Sequence, residues 1–504
     1  MAMAQRRVAA GGSGRSARNG ATGMMRAIRL HARFSRRAPP GMAMRHPRPS
    51  HIPAGRRRLA VAFVAATMLL AALPAQAQSI LRDAETELLL KDMSAPLITA
   101  AGLRPGDVDI VLVNDDSINA FVVGGQVVYV HSGLIQAADN ANQVQGVIAH
   151  ELGHIADAHV ISGEAAMKPA MGIYLLSMLL GAATMAVGGG EAGAGIMAAG
   201  QQAAMGKVLA FTRTQEATAD ASAVKYLREA GISGKGMLTF FKTLQQQEYR
   251  YGLNNIDPFM QSHPLSGTRI QTLTADVTAS PAYGKAPDPA IEERFKRIKA
   301  KLAGYVQPPA RTLNQFPDSD QSIYAHYARA YAYHKAGYPE KADAETRALV
   351  AARPDDPYFQ EVMGQILLEA GKPKQALGPL RRATDGTRAN PLIATTLGHA
   401  LIATEDPANY DEAKRVLRTA VTRDRDNPFA WQQLGTIYEL TGDEPRAALA
   451  TAERASMMGD THTAVARARA AMAGLPKNSP DWIKAQDIAM TEGDALAKEK
   501  KKKR

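Results

Sequence analysis

The stretch Gln143-Val-Gln-Gly-Val-Ile-Ala-His150-Glu151-Leu-Gly-His154-Ile-Ala-Asp-Ala-His159 decides the fold. His150 and His154 are four residues apart. On a helix of 3.6 residues per turn their imidazoles therefore share a face and reach one ion. Glu151 follows the first histidine, where its carboxylate reaches a water on that ion without ligating it. Zinc takes imidazole nitrogens and brings the pKa of bound water near 7. Val147, Ile148, Leu152 and Ile155 give the helix an apolar stripe, and Gly153 is expected to give clearance beside the metal. The bland alternative is two ordinary histidines on a helix.

A catalytic zinc keeps three protein ligands and an open position. His159 lies five residues past His154, which turns it about 140° away on a continuing helix, and no glycine-spaced third histidine follows. The third ligand is therefore a distant carboxylate. Phe211 to Arg228 reads as a helix carrying Glu216 and Asp220 four residues apart, on one face. Glu216 is assigned to zinc, and Asp220 to orienting a ligand histidine from behind. By itself Asp220 would pass for a surface acid. Glu164 and Glu191 are weaker candidates, in Gly/Ala-rich stretches without a clear helical face.

Upstream, Ile80 to Leu103 reads as a helix, and Val108–Val113 and Val122–Val130 as β-branched strands. Residues 169–190 carry no charge and include Ile173-Tyr174-Leu175-Leu176 and Met178-Leu179-Leu180. By length they could span a bilayer. A helical hairpin over the site or on a membrane surface is the expectation, with Tyr174 and Met178 as the stripe of an ordinary core helix otherwise.

Downstream, residues 306–320 form a polar, proline-containing linker. Beyond it Ala342, Ala376 and Ala413 align at steps of 34 and 37 residues. Gly337, Gly371 and Gly442 recur as helix turns, and Pro357, Pro391 and Pro428 as terminators. Trp431-x2-Leu434-Gly435-x2-Tyr438 is the tetratricopeptide string. About four helix-turn-helix repeats are expected to residue 475, stacked into a surface that holds a peptide or partner protein. Residues 476–504 read as a C-terminal helix with a solvated basic tail.

The net charge of +12 comes from 60 Lys+Arg against 48 Asp+Glu. Residues 1–78 hold 14 arginines and no acid, and without them 46 basic residues face 48 acidic ones. Nucleic-acid binding thus loses its electrostatic footing. Arg56-Arg57-Arg58, the uncharged run Leu59–Leu73 and Ala75-Gln76-Ala77 make an export signal cut after Ala77, behind a disordered basic leader. A start at Met44 would give a conventional signal peptide. The absence of cysteine excludes disulfides, Cys-ligated zinc, a thiol nucleophile and lipoprotein acylation.

VIAHELGHIADAH and EATADASAVKYL, with their spacing, resemble the gluzincin zinc peptidases, the family of the prenyl-protein endopeptidase. Asn119-Ala120-Phe121, Gly124-Gly125 and Val128 to Leu134 resemble the strand before that family's metal helix. Arg82-Asp83-Ala84-Glu85, Ser262-His263-Pro264-Leu265 and the repeats resemble its exported branch.

The resemblance implies a mainly α protein. An α+β zinc peptidase domain (79–305) would precede the linker (306–320) and an all-α repeat solenoid (321–475). One Zn²⁺ per chain would sit on His150, His154 and Glu216, with Glu151 as base. Val122–Val130 would be an edge strand to which substrate adds, unless it is an ordinary core strand. His263 would either donate to the oxyanion or cap the open metal position. The function implied is a periplasmic endopeptidase for misassembled outer-membrane or envelope proteins, with the outer-membrane assembly machinery as a partner of the repeats. Peripheral membrane contact is a further expectation, and no nucleic acid. The alternative is a chaperone or assembly adaptor with regulated proteolysis.

Overall fold

The computed structural model describes residues 6–7, 79–123, 125–186, 190–251, 263 and 267–502. Apart from residues 6–7, the basic leader, the export signal and the Met44 start lie outside the described residues, as do Gly124, Ser262, Pro264 and Leu265.

Strand β1 (Ser79–Ile80) pairs antiparallel with β2 (Asp109–Asn114). β2 runs parallel to β4 (Val127–His131), and β3 (Ala120–Val122) closes the far edge antiparallel to β4. The run expected as one strand, Val122–Val130, is thus two. Gly125, at φ 132°, turns the chain between them. The edge is β3, and β4 is flanked on both sides.

Helix α1 (Ala84–Ala100) starts later than Ile80, because the Asp83 carboxylate accepts from Thr86 N–H at 3.2 Å and caps it. Helix α2 (Ser132–Ala137) follows β4, and Asn140 caps α3 (Ala141–Ala156) in the same way as Asp83 caps α1. Val147, Ile148 and Leu152 of α3 are fully buried in one core with Val128 and Val130 of the sheet. Asn142 ties α3 to the start of α6 (Lys235–Tyr251), donating to Ser233 O and accepting from Gly236 N–H, both at 2.8 Å.

Helices α4 (His159–Ala186) and α5 (Gly190–Glu229) make a hairpin. Lys168–Met185 of α4 is long and apolar enough to cross a membrane. Tyr174 and Met178, expected as a core stripe if the helix is buried, are 37% and 41% exposed, and Leu175 and Leu179 58% and 69%. Apolar residues surround this helix on all sides, so no 3.6-residue stripe selects a buried face.

After α7 (Gly267–Ala279), α8 (Pro289–Val306) leads into the repeats, and the short helix α9 (Pro309–Gln315) falls within the expected linker. Helix pairs follow: α10 (Ile323–Lys335) with α11 (Pro339–Ala352), α12 (Pro357–Glu369) with α13 (Pro373–Gly386), α14 (Pro391–Ala403) with α15 (Tyr410–Arg423), and α16 (Pro428–Leu440) with α17 (Glu444–Met457). A fifth pair, α18 (Thr461–Gly474) and α19 (Pro480–Lys502), extends them. Ala342, Ala376 and Ala413 are all fully buried where paired helices meet. Pro357, Pro391 and Pro428 open helices rather than end them. The first helical turn does not need their missing N–H, and their fixed φ suits it.

The Arg82–Glu85 string joins the peptidase segment to the repeats. Glu85 receives Arg297 of α8 at 2.6 Å and the Tyr327 hydroxyl of α10 at 2.8 Å. Arg297 also reaches Asp356 at 2.7 Å, and Arg82 reaches Asp424 at 3.0 Å. Glu361 of α12 is buried close to these charges. Burial pushes its carboxyl up from 4.5 to about 7, against the pull of Lys301 and with the push of Asp83.

A folded pKa above the unfolded one adds stability that is complete below pH 4.5 and is lost as pH rises through 7. Relative to the wild type, Glu361→Gln should therefore gain stability from pH 5 to pH 8. The gain is about 3 kcal/mol at most, read from unfolding midpoints at the two pH values.

Candidate active site

Helix α3 brings His150, Glu151 and His154 to face α5, which supplies Glu216 and Asp220. His263 comes from the segment between α6 and α7, and Arg269 from α7. His150 Nε2 lies 3.2 Å from His154 Nε2, 3.2 Å from His263 Nδ1 and 3.3 Å from Glu216 Oε2. Glu216 Oε1 lies 3.1 Å from His263 Nδ1 and 3.5 Å from His154 Nε2. A tetrahedron with zinc–nitrogen and zinc–oxygen bonds of about 2.0–2.2 Å has edges of about 3.3–3.5 Å. The donor spacings of 3.1–3.5 Å come within about 0.2 Å of that edge length. Three imidazoles and one carboxylate turn their donor atoms on a common point, which suits zinc. His150, His154, Glu216 and His263 could thus hold the metal.

Glu151 is buried, and neither of its carboxylate oxygens has a hydrogen-bond partner among the described residues. The nearest ion-pair contact is His263 Nε2 at 3.6 Å from Oε1. A buried carboxylate that accepts no hydrogen bond is costly. At the mouth of a metal cluster it is positioned to receive a proton.

Asp220 lies behind the cluster, its Oδ1 3.0 Å from His150 Nδ1. Arg269 locks the two acids of α5 together, with Nε 2.7 Å from Asp220 and Nη1 3.0 Å from Glu216. Phe241 packs edge-on against the His150 ring, centroids 5.8 Å apart.

Burial opposes charge throughout, and the pairings decide where charge stays. His150 is raised to about 10, because the Asp220 and Glu216 carboxylates outweigh its desolvation. Burial and the neighbouring His150 charge lower His154 to about 2. Burial pushes Glu216 up, yet the His150 and His263 contacts hold it well below the usual carboxylate range. Glu151, with no such bond, is pushed up by burial.

His159 stands outside the four-donor cluster, with its Nδ1 2.9 Å from His154 Nδ1. The helical extrapolation fails here, since α3 ends at Ala156 and Ala158 takes a left-handed φ of 53°. Nothing local in the sequence marks Arg269 as the clamp on Glu216 and Asp220. Glu191 is exposed on α5, away from the donor cluster.

Gly153 does not clear space for a metal. A Cβ there would sit 2.9 Å from the Ala219 backbone, so the glycine lets α3 and α5 touch. Gly153→Ala should push apart the helices carrying His154 and Glu216, and lower zinc affinity about 10-fold or more. Chelator competition measures this.

The profile of Peptidase family M48 matches residues 84–277. The chain is 25% identical over 364 residues to the "Beta-barrel assembly-enhancing protease" of Escherichia coli (strain K12), covering 70% of this chain and 72% of that one. It is 30% identical over 179 residues to "Metalloprotease LoiP" of the same organism, covering 35% of this chain and 64% of that one. Among solved structures, it is similar to YrrB, a TPR protein with an unusual peptide-binding site, with 20% identity and a TM-score of 0.29, over 36% of this chain and 96% of that one. Residues 84–277 thus resemble peptidase family M48, and the chain is a zinc-dependent metalloprotease.

Proposed function

We propose that the chain is an endopeptidase of the bacterial periplasm that removes misassembled outer-membrane or envelope proteins, with residues 321–475 recruiting substrates or the outer-membrane assembly machinery. The observation that carries the catalytic part is a buried Glu151, its carboxylate without a hydrogen bond among the described residues, beside four donors at close to the spacing of a zinc tetrahedron. The client class rests on the beta-barrel assembly-enhancing relatives.

His150, His154 and Glu216 would hold zinc, which when bound would supply Lewis-acid polarisation of a carbonyl and a nucleophilic water near neutral pH. Glu151 takes the proton of the attacking water and carries it to the leaving amine. Asp220 fixes the tautomer of His150 by accepting from Nδ1–H, so that Nε2 keeps its lone pair for the metal. Arg269 holds Glu216 and Asp220 in place.

His263 fills the fourth corner and must withdraw before substrate enters. His263→Ala should raise casein cleavage about 10-fold or more, as removal of a closed state populated above about 90% requires. A fall in kcat would instead make His263 an oxyanion donor.

The exposed α4 apolar surface rests on a membrane. The mature chain from Gln78 should float with liposomes, and Leu176→Glu with Leu179→Glu should abolish flotation.

The first test is zinc content and casein cleavage by the mature chain. About one zinc per chain with cleavage supports the reading. Protein prepared without chelator that holds no zinc would overturn the metal site and leave an assembly adaptor.

A further inference from the structure

Each α3 histidine points one ring nitrogen at the donor cluster and the other away from it. For His150 the outward Nδ1 meets Asp220. For His154 the inward atom is Nε2, and the outward Nδ1 meets His159 Nδ1 at 2.9 Å. The rings are tilted by 68°, with centroids 5.0 Å apart, so the contact is edge-on rather than stacked.

Two imidazole nitrogens at that distance share one proton, and the ligand role of His154 decides which side holds it. For Nε2 to keep a lone pair, Nδ1 must carry the hydrogen and donate. His159 then accepts through Nδ1 and bears its own hydrogen on Nε2.

The local backbone is built to place this acceptor. Helix α3 stops at Ala156, and Ala158 is left-handed at φ 53°, a conformation an alanine adopts only under tertiary constraint. The turn swings residue 159 back beside His154. Gln215, next to Glu216 on α5, donates to His159 O at 3.1 Å and pins it there. Carboxylates, backbone carbonyls and water usually orient a ligand histidine from behind. Here one ligand has a carboxylate and the other an imidazole.

We propose that His159 is a positioning residue of the metal site, accepting a hydrogen bond from His154 Nδ1 that fixes the tautomer and ring plane in which His154 offers Nε2 to zinc. The proposal rests on the reading of His154 as a zinc ligand. His159 touches neither substrate nor metal, so its effect appears in metal affinity, where the loss of such a partner typically weakens binding 10–100-fold.

The test is zinc affinity by chelator competition on the mature chain, for wild type, His159→Ala and His159→Asn, with unfolding midpoints of the metal-free proteins beside it. Asn places its Oδ1 where His places Nδ1 and keeps an acceptor. His159→Ala should weaken zinc binding about 10-fold or more, His159→Asn should stay within a few-fold of wild type, and the metal-free midpoints should coincide. Equal affinity of His159→Ala and wild type would overturn the proposal. So would His159→Asn binding as weakly as His159→Ala, or a metal-free midpoint that falls in step with the affinity, which marks a packing role. Failure of the wild type to bind zinc would overturn the ligand reading itself and is thereby distinguished.

Discussion

Glu151→Gln should lower kcat for casein cleavage by about 10²–10⁴-fold, the usual contribution of a positioned proton-transfer group, and leave zinc content at the wild-type level. The amide has nearly the volume of the carboxylate, so the packing of α3 is undisturbed, but it accepts no proton at accessible pH. The carboxylate oxygens form no hydrogen bond among the described residues, so the substitution breaks no bond that holds the fold. Removing the charge relieves a buried carboxylate that accepts no hydrogen bond among the described residues, so the unfolding midpoint should hold or rise. Measured together, kcat, zinc per chain and the midpoint separate the alternatives. A merely structural Glu151 would lose stability along with activity, and a ligand would lose zinc. Activity within a few-fold of wild type would remove Glu151 from the chemistry.

The residues legible from sequence are those whose role is set by helical period. His150, Glu151 and His154 are placed by spacing on one helix, and Glu216 and Asp220 by spacing on another. The structure puts both sets in contact. What escaped depends on contacts between distant segments or on one unusual backbone angle. His159 was judged on a helix that Ala158 interrupts, and a left-handed alanine leaves no compositional trace.

Gly153 was given to the metal although it serves the approach of Ala219, some 66 positions later. The repeat prolines are correctly spaced, but a proline marks a helix boundary without saying which side of it the helix lies on. Arg269 belongs to a short amphipathic helix whose other polar residues face solvent, so its burial against two acids cannot be read locally. The pattern of α8, Glu-Glu-Arg-Phe-Lys-Arg-Ile-Lys-Ala-Lys, looks like a solvated charged face, yet Arg297 and Lys301 within it are buried.

That burial underlies the second large effect, which is on stability. Lys301 is fully buried, with its ammonium 2.7 Å from Asp83 and 3.3 Å from Glu85 and 5.4 Å from the Tyr327 ring centroid. Burial opposes the charge, but Asp83 together with Tyr327, Tyr331 and Glu85 outweighs it and holds the ammonium well above the ordinary lysine range. Lys301→Met keeps most of the side-chain volume and removes the cation. Asp83 and Glu85 then remain buried with one positive partner fewer, beside Glu361. Breaking a buried pair from one side destabilises by about 3–5 kcal/mol.

Adding Asp83→Asn should recover part of that loss, because the amide still caps α1 while the stranded negative charge is gone. The network shares no residue with the metal cluster, so zinc content should be unchanged in both variants at temperatures where they stay folded. Equilibrium unfolding of the wild type, the two single variants and the double variant gives the coupling directly. A loss below about 1 kcal/mol for Lys301→Met would place this contact with exposed ion pairs, which contribute little. The Arg82–Glu85 string would then owe its place to the remaining bonds to Arg297, Tyr327 and Asp424.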